Sequence, residues 1–161
     1  MLVADTSALI SLAIAGQLDT VLAEFDVHTT EHVLEEITDT ADYDDRHGRA
    51  ADTVLDTCDR LTVHHVADPV ESSRVDPGEG SCAVLTHEIE ASFLLTDDLR
   101  ALPELQTVAD AQVAISPIVL KALLKRDAMD REAAVETLAE LATQRDWLGA
   151  PIYHRARALF D

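Results

Sequence analysis

The sequence predicts an α/β fold with a mostly parallel sheet that helices cover on both faces. Short apolar runs alternate along the chain with segments of helical periodicity, which is the pattern of βαβ units. The chain has 161 residues, of which 47% are hydrophobic, and this is enough for one domain with its own core. We therefore expect a single domain over residues 1–161, with an α/β core at 1–116 and C-terminal helices at 117–161.

The predicted strands are short apolar runs bounded by polar or turn-forming residues. In chain order they are 2–4, 25–29, 61–66, 92–95 and 113–116. Each is followed by a helical or irregular segment long enough to cross to a parallel neighbour.

The predicted helices are assigned from apolar spacing and from residues that favour helix ends. In chain order they are 7–15, 18–25, 31–38, 49–61, 81–90, 99–105, 117–126, 130–145 and 152–160. Gly16 ends the first helix, Thr30 can cap the third and Pro117 suits a first helical turn. The acidic, aperiodic segment 39–48 is predicted to be a solvated loop.

The charge balance is strongly acidic. The chain has 31 Asp and Glu against 12 Lys and Arg, a formal net charge of −19. The acids are spread along the chain, which argues against an acidic tail, and the composition resembles that of proteins from extreme halophiles. In ~1 M salt the Debye length is ~3 Å, so this charge does not exclude nucleic-acid binding.

Cysteine usage and hydropathy exclude several classes of protein. Cys58 and Cys82 form no CxxC pair, so neither a zinc ribbon nor a disulfide framework is expected. A zinc site that adds His64 and His65 is disfavoured because adjacent strand residues point to opposite faces. No run reaches the ~18 uncharged apolar residues of a membrane span, and no basic leader precedes an apolar stretch. A cytoplasmic protein without a membrane partner is expected.

Five carboxylates lie where a predicted strand ends or where a nearby helix begins or turns back. They are Asp5, Glu36, Glu79, Asp97 and Asp98. Because the carboxyl ends of parallel strands converge on one crevice, these side chains are expected to share a pocket. Like charges held close together need shared protons or divalent cations between them. All-oxygen ligands favour Mg²⁺ or Mn²⁺ over zinc.

Each acid also has a purely structural interpretation. Asp5 is a favoured N-cap residue, Asp76 and Glu79 have the spacing of a capping box around Pro77, and either Asp97 or Asp98 can cap a short helix. Helical phase separates Glu36, which borders the apolar face of its helix, from its neighbour Glu35, which should face solvent.

Four segments together resemble the PIN domain family of metal-dependent ribonucleases: ADTSALISLA, TTEHVLEEI, DPGEGSCAVL and LLTDD. The branch most similar to this chain contains toxins of the VapC type and relatives with a GE motif and a C-terminal helical extension. The resemblance implies a three-layer α/β/α fold with a central parallel sheet. It also implies an acidic pocket for one or two Mg²⁺ or Mn²⁺ ions and hydrolysis of single-stranded RNA.

Carried over by motif, Asp5 matches the first acid of the family, Glu36 the second, and Glu79 a position where many members have Asp. The Thr-x-Asp pattern favours Asp98 as the last acid, whereas counting without a gap favours Asp97, and both are retained. Thr6 and Ser7, which follow the first acid, can hydrogen-bond the ligand carboxylates.

Two functions from different classes follow. The first is an active endoribonuclease, with the toxin of a toxin–antitoxin pair and its antitoxin protein as the more specific version. The second is a weakly active or inactive PIN-like module that binds RNA or protein. Dimerisation is common in the family, so a homodimer is expected, with the apolar faces of 18–25 and of the helix from Arg49 as candidate surfaces. The basic cluster Lys121, Lys125, Arg126 and Arg131 either contacts RNA phosphates or stabilises helix ends.

Overall fold

The structure is a computed structural model that describes all 161 residues. Its five strands form one sheet in the order β3-β2-β1-β4-β5, and every neighbouring pair is parallel. The strands are β1 (Leu2–Ala4), β2 (Val27–Thr30), β3 (Thr62–His64), β4 (Phe93–Leu95) and β5 (Gln112–Ala114). The α/β fold with a parallel sheet is therefore confirmed.

Nine α-helices connect and follow the strands. They are α1 (Thr6–Ile14), α2 (Leu18–Glu24), α3 (Glu31–Ala41), α4 (Arg46–Asp56), α5 (Pro77–Glu88), α6 (Leu102–Val108), α7 (Ile118–Lys125), α8 (Arg131–Gln144) and α9 (Pro151–Ala158). A short 3₁₀ helix, Cys58–Arg60, precedes β3. All nine lie close to predicted helices.

The strand order places β1 at the point where the chain changes direction across the sheet. The connections after β1 and β2 lead outward to β3, whereas the connection through α5 returns past β1 to β4. Right-handed crossovers put helices from the two halves on opposite faces. The carboxyl ends of β1 and β4 therefore border the crevice that open α/β sheets use for binding.

The predicted loop at 39–48 was wrong over most of its length. α3 continues to Ala41 and α4 begins at Arg46, which leaves only four residues between them. Threonine side chains bond back into α3, with Thr40 Oγ1 donating to the Glu36 carbonyl at 2.9 Å. Asp45 then caps α4 by accepting from the Gly48 N–H at 2.8 Å. Local caps thus extend both helices into a segment whose composition suggested a loop.

The apolar faces proposed as dimer surfaces are buried within the chain itself. On α2, Leu18 and Val21 belong to the core, and on α4, Ala51 and Val54 do. These faces are therefore not available for a second copy. No single helix has the length and apolarity to cross a membrane, although α1 and α2 pass that test when counted together across a 114° bend.

The net charge of −19 predicts that salt stabilises the fold. Self-repulsion destabilises a compact, highly charged chain, and mobile ions screen that repulsion. Raising KCl from about 0.1 M to about 2 M is expected to increase Tm by several degrees, measured by circular dichroism. Sucrose at matched osmolality is the control because it screens no charge. An equal increase in sucrose, or no increase in KCl, would contradict the electrostatic cause.

Candidate active site

Asp5 is held at the carboxyl end of β1 with one carboxylate oxygen free. Its backbone N–H donates to the Leu95 carbonyl of β4 at 3.1 Å. Its Oδ1 caps α1, accepting from the Ala8 N–H at 2.9 Å and from Ser7 Oγ at 2.7 Å. Its Oδ2 is buried and has no hydrogen-bond partner. The capping role is thus real, and it leaves one oxygen unused.

Burial controls the charge of Asp5. The residue is 2% exposed. Desolvation outweighs the hydrogen bonds that favour the anion and raises the pKa of Asp5 to about 7. In the metal-free protein, Asp5 therefore ionises only near neutral pH.

Glu36 enters the same crevice from α3, as its helical phase predicts. Glu35 is exposed, whereas Glu36 is half-buried. Thr6 Oγ1 donates to Glu36 Oε2 at 3.0 Å, and the neighbouring Ser7 donates to Asp5. Both hydroxyl contacts agree with the expectation from sequence. Burial, followed by the nearby Asp76 charge, raises the pKa of Glu36.

Glu79 lies in the first turn of α5 and forms the capping box that its spacing predicts. Its N–H donates to Asp76 Oδ1 at 2.8 Å, and its Oε2 accepts from the Asp76 N–H at 3.2 Å. Glu79 is only 8% exposed. Burial and then the Asp98 carboxyl raise the pKa of Glu79 to about 9. Glu79 therefore both caps its helix and contributes to a crowded group of carboxylates.

The structure separates the two acids that follow β4. Asp98 lines the crevice, and its Oδ1 accepts from the N–H groups of Arg100 and Ala101 at 2.9 and 3.2 Å, which organises the turn before α6. Asp97 points elsewhere. Its carboxylate accepts from the Ser116 N–H and from Ser116 Oγ, both at 2.7 Å, and so fastens the end of β4 to the residues after β5.

Four of the five predicted acids line one pocket of about 310 Å³, and Asp97 does not. The four are Asp5, Glu36, Glu79 and Asp98, and Ile10 is the only hydrophobic residue of the lining. The donors suit a divalent cation because they are all oxygens and because Asp5 Oδ2 is buried without a partner. No three of the acidic or other ligating side chains are close enough to hold an ion as they stand. Two of these carboxylates would suffice for Mg²⁺, which usually keeps several of its water ligands.

The structure adds residues that sequence reasoning did not assign to the site. Asp76, Thr40, His47 and Arg145 also line the pocket. Asp76 had been assigned only as a cap. His47 fell within the predicted loop. Arg145 comes from the end of α8, far along the chain from the other lining residues, and no motif marks it.

Two other candidate clusters lie away from the pocket. Arg126 of the basic cluster donates to the Glu24 carbonyl at 2.8 Å and stacks on Phe25, at the amino end of the sheet. His64 contacts His28 at 2.8 Å, whereas His65 contacts Glu31 at 2.8 Å. His64 and His65 therefore contact different neighbours, as the alternation of side chains along a strand predicts.

Gly78 explains why α5 can approach Glu36. A Cβ at position 78 would lie 1.7 Å from Glu36 Oε1. Gly80 is equally crowded, but against the main chain, because its Cβ would lie 1.6 Å from the Val70 carbonyl oxygen. Gly78 therefore leaves space for the Glu36 carboxylate in the pocket, whereas Gly80 leaves space for the backbone at Val70.

Alanine at these two positions is expected to separate function from stability. Gly78→Ala displaces the flexible end of Glu36, and alanine is a better helix former, so stability should change by less than about 1 kcal/mol. Any cleavage activity that needs Glu36 should fall ~10-fold or more. Gly80→Ala, the matched control, cannot move the Val70 backbone cheaply and should cost about 2 kcal/mol. Urea denaturation and RNA cleavage measure the two effects. Equal losses of stability in Gly78→Ala and Gly80→Ala would contradict the conclusion that only Gly80 faces a rigid backbone.

Comparison with known proteins agrees with the geometry. The sequence model of family DUF3368, described as a PIN domain, matches residues 1–161. A search of curated proteins found no significant match. The match covers the α/β core, the acidic pocket and the C-terminal helices together. The chain therefore belongs to the PIN domain family.

Proposed function

We propose that this chain is a metal-dependent endoribonuclease that cleaves single-stranded RNA, with Mg²⁺ or Mn²⁺ held by Asp5, Glu36, Glu79 and Asp98. PIN domains are generally nucleases and typically bind divalent metals. The observation that carries the proposal is the convergence of these four carboxylates at the end of the sheet, with Asp5 Oδ2 buried and unpartnered.

The electrostatics of the pocket favour a cation. The pKa values of Asp5, Glu36 and Glu79 are all raised, first by burial. In the metal-free protein Asp5 and Glu79 therefore retain protons at acidic pH, and a divalent ion can replace these protons. Replacing protons by an ion removes the mutual repulsion and satisfies the free oxygen of Asp5.

The pocket carboxylates have different roles in the proposed hydrolysis of a phosphodiester. A divalent ion held there would supply an activated water and would stabilise charge on the leaving oxygen. Asp5, Glu79 and Asp98 would hold that ion. Glu36, oriented by Thr6, can accept the proton of the attacking water. The water oxygen bonds to phosphorus as its proton passes to Glu36, and the bond from phosphorus to the 3′-oxygen breaks. The 3′-oxygen takes a proton from solvent, so the products carry a 5′-phosphate and a 3′-hydroxyl.

The second candidate function is a binding module without catalysis. The observation in its favour is that no three ligating side chains are close enough to hold an ion in this arrangement. Glu79 also has a longer side chain than the aspartate common at this position. Under this alternative the acidic pocket would bind a partner without hydrolysing it. The toxin of a toxin–antitoxin pair is the more specific version of the nuclease proposal.

The decisive experiment is cleavage of a mixed-sequence single-stranded RNA in molar KCl, with and without Mn²⁺. Metal-dependent cleavage that EDTA abolishes, with 5′-phosphate and 3′-hydroxyl ends on the products, is the expected result. Ends of the opposite kind, 5′-hydroxyl and 2′,3′-cyclic phosphate, would refute the mechanism. Well-folded protein that binds the RNA without cleaving it would favour the binding module.

A further inference from the structure

Arg145 is a cation without a partner in an acidic pocket. It caps the C-terminus of α8 and lines the pocket, where it is the only Lys or Arg. Its Nε is buried and has no hydrogen-bond partner. None of the five ion pairs within 4.0 Å includes Arg145, although the chain has 31 Asp and Glu residues for only 12 Lys and Arg.

The end of α8 fixes the backbone of Arg145, and packing limits its guanidinium. The backbone N–H of Arg145 donates to the Leu141 carbonyl at 2.9 Å. Arg46 joins the start of α4 to the end of α8 by donating to the Gln144 carbonyl at 2.6 Å. The guanidinium carbon lies 5.9 Å from the ring centre of Trp147, a buried side chain. Arg145 is thus held at the pocket without an ion pair to direct it.

This arrangement costs free energy in the unliganded protein. Burial lowers the pKa of Arg145 by more than the charges of Asp97 and Asp5 raise it. The buried Nε donor has no acceptor, which is unfavourable, and the guanidinium is a planar fork of five donors. A ligand that brings anionic oxygens to the pocket would satisfy those donors. The fork matches phosphate oxygens, which can accept two parallel hydrogen bonds.

We propose that Arg145 binds the non-bridging oxygens of the substrate phosphodiester at the acidic pocket. This inference rests on the proposed nuclease function and adds a substrate-binding residue to it. The phosphate would then contact the guanidinium as well as any ion that the carboxylates hold. The C-terminal helices would complete the site that the α/β core begins.

A different role for Arg145 is that of an internal counter-ion that occupies the place of a metal. The two roles predict opposite effects on the metal requirement. Removing a phosphate ligand weakens substrate binding and leaves the Mn²⁺ requirement unchanged. Removing a counter-ion that competes with metal lowers the Mn²⁺ concentration needed and increases the rate at low Mn²⁺.

The kinetic test compares Arg145→Met with Arg60→Met. Arg60 precedes β3 at the other end of the sheet and pairs with Asp19 on the surface, so its variant removes one charge away from the pocket. Arg145→Met should raise KM roughly 10- to 100-fold with an unchanged Mn²⁺ midpoint. Arg145→Lys should recover part of the loss because it keeps the charge but not the fork. Arg60→Met should match wild type.

A binding test supplies a readout other than activity. Trp147 is the only tryptophan and its ring centre lies 5.9 Å from the Arg145 guanidinium carbon, so its fluorescence reports on the surroundings of Arg145. Short single-stranded RNA is titrated in EDTA into the wild-type protein, which should bind RNA without cleaving it when no metal is present. A saturable change in fluorescence is expected, weakened at least 10-fold when Arg145→Met is added. Its dependence on salt should also be shallower, by roughly 0.7 in log–log slope for one lost phosphate contact.

The outcomes separate this inference from the nuclease proposal. Wild-type cleavage with an unaffected Arg145→Met variant would overturn the inference alone. A lower Mn²⁺ midpoint in that variant would also overturn it, in favour of the counter-ion. Absence of cleavage by wild type, together with RNA binding that needs Arg145, would reject the nuclease and retain the phosphate contact. Absence of both would reject both.

Discussion

Asparagine at position 5 is expected to reduce metal-dependent RNA cleavage ~10³-fold or more and to leave the fold intact. The loss corresponds to about 4 kcal/mol of lost transition-state stabilisation, within the range expected when a metal ligand loses its charge. The fold should persist because asparagine keeps the oxygen that caps α1 through Ala8 and Ser7. Only the second oxygen, which has no protein partner, is replaced.

The same substitution should stabilise the metal-free protein at alkaline pH. Burial raises the pKa of Asp5 from 3.8 to about 7, so the folded state binds this proton more tightly than the unfolded chain. The stability that this proton contributes is present below pH ~4 and is lost as pH rises to 7, up to about 4 kcal/mol. The Asp5→Asn variant avoids that loss but buries an amide with unsatisfied donors, at a cost of about 1–3 kcal/mol. A net gain of about 1–3 kcal/mol at pH 8 remains.

Cleavage rates and urea denaturation in EDTA at pH 8 measure the two effects. Glu35→Gln is the matched control, since it neutralises an exposed acid beside Glu36 and should change neither quantity. A variant Asp5→Asn that retains cleavage would remove Asp5 from the metal site. A variant that is both inactive and strongly destabilised would contradict the assignment of the second Asp5 oxygen as free of structural contacts.

Most of the fold follows from local sequence patterns. The buried strands are short apolar runs between helical segments, so their positions could be predicted, and the parallel order follows from the connections. The corner between α3 and α4 could not be predicted from the sequence. Its helices are extended by caps and by the close approach of Gly48 to the Tyr43 carbonyl. Such contacts are made between particular neighbouring residues, which the acidic composition of the segment does not report.

The site was predictable to the extent that it follows helical phase and strand ends. Phase alone distinguishes Glu36 from Glu35. It could not distinguish Asp97 from Asp98, because the choice depends on Ser116, which binds the Asp97 carboxylate from beyond the next strand. The place of Arg145 in the pocket could not be predicted from the sequence either, because it also depends on contacts between distant segments. Arg145 enters the pocket only because α8 packs near α1 and α4, and no spacing in the sequence encodes that placement.

The second large effect concerns metal, stability and pH together. Mg²⁺ or Mn²⁺ is expected to raise Tm by about 5–10 °C at pH 8, at a metal concentration of ~100 times Kd, and to have little effect at pH 5. Binding only the folded state at that ratio contributes about 2.7 kcal/mol, and 1 kcal/mol shifts Tm by about 2–4 °C in a chain of this size.

The pH dependence follows from the raised pKa values of Asp5, about 7, and Glu79, about 9. At pH 5 both groups hold protons in the folded protein, so an ion must displace them and binds weakly. As pH rises through 7 and then towards 9, the metal-free protein loses the stability that those protons contributed, and the ion gains its ligands. The difference between Tm with metal and Tm with EDTA should therefore widen with pH.

Taking the difference at each pH and at constant KCl cancels the contributions that are common to both samples. The variant Asp5→Asn should lose most of the metal-induced shift, and Asp97→Asn should keep it because the Asp97 carboxylate binds Ser116 outside the pocket. A shift of the same size at pH 5 and pH 8 would place metal binding outside these carboxylates. No shift at any pH would favour the binding module, because a nuclease of this kind must hold its ion before it can hydrolyse RNA.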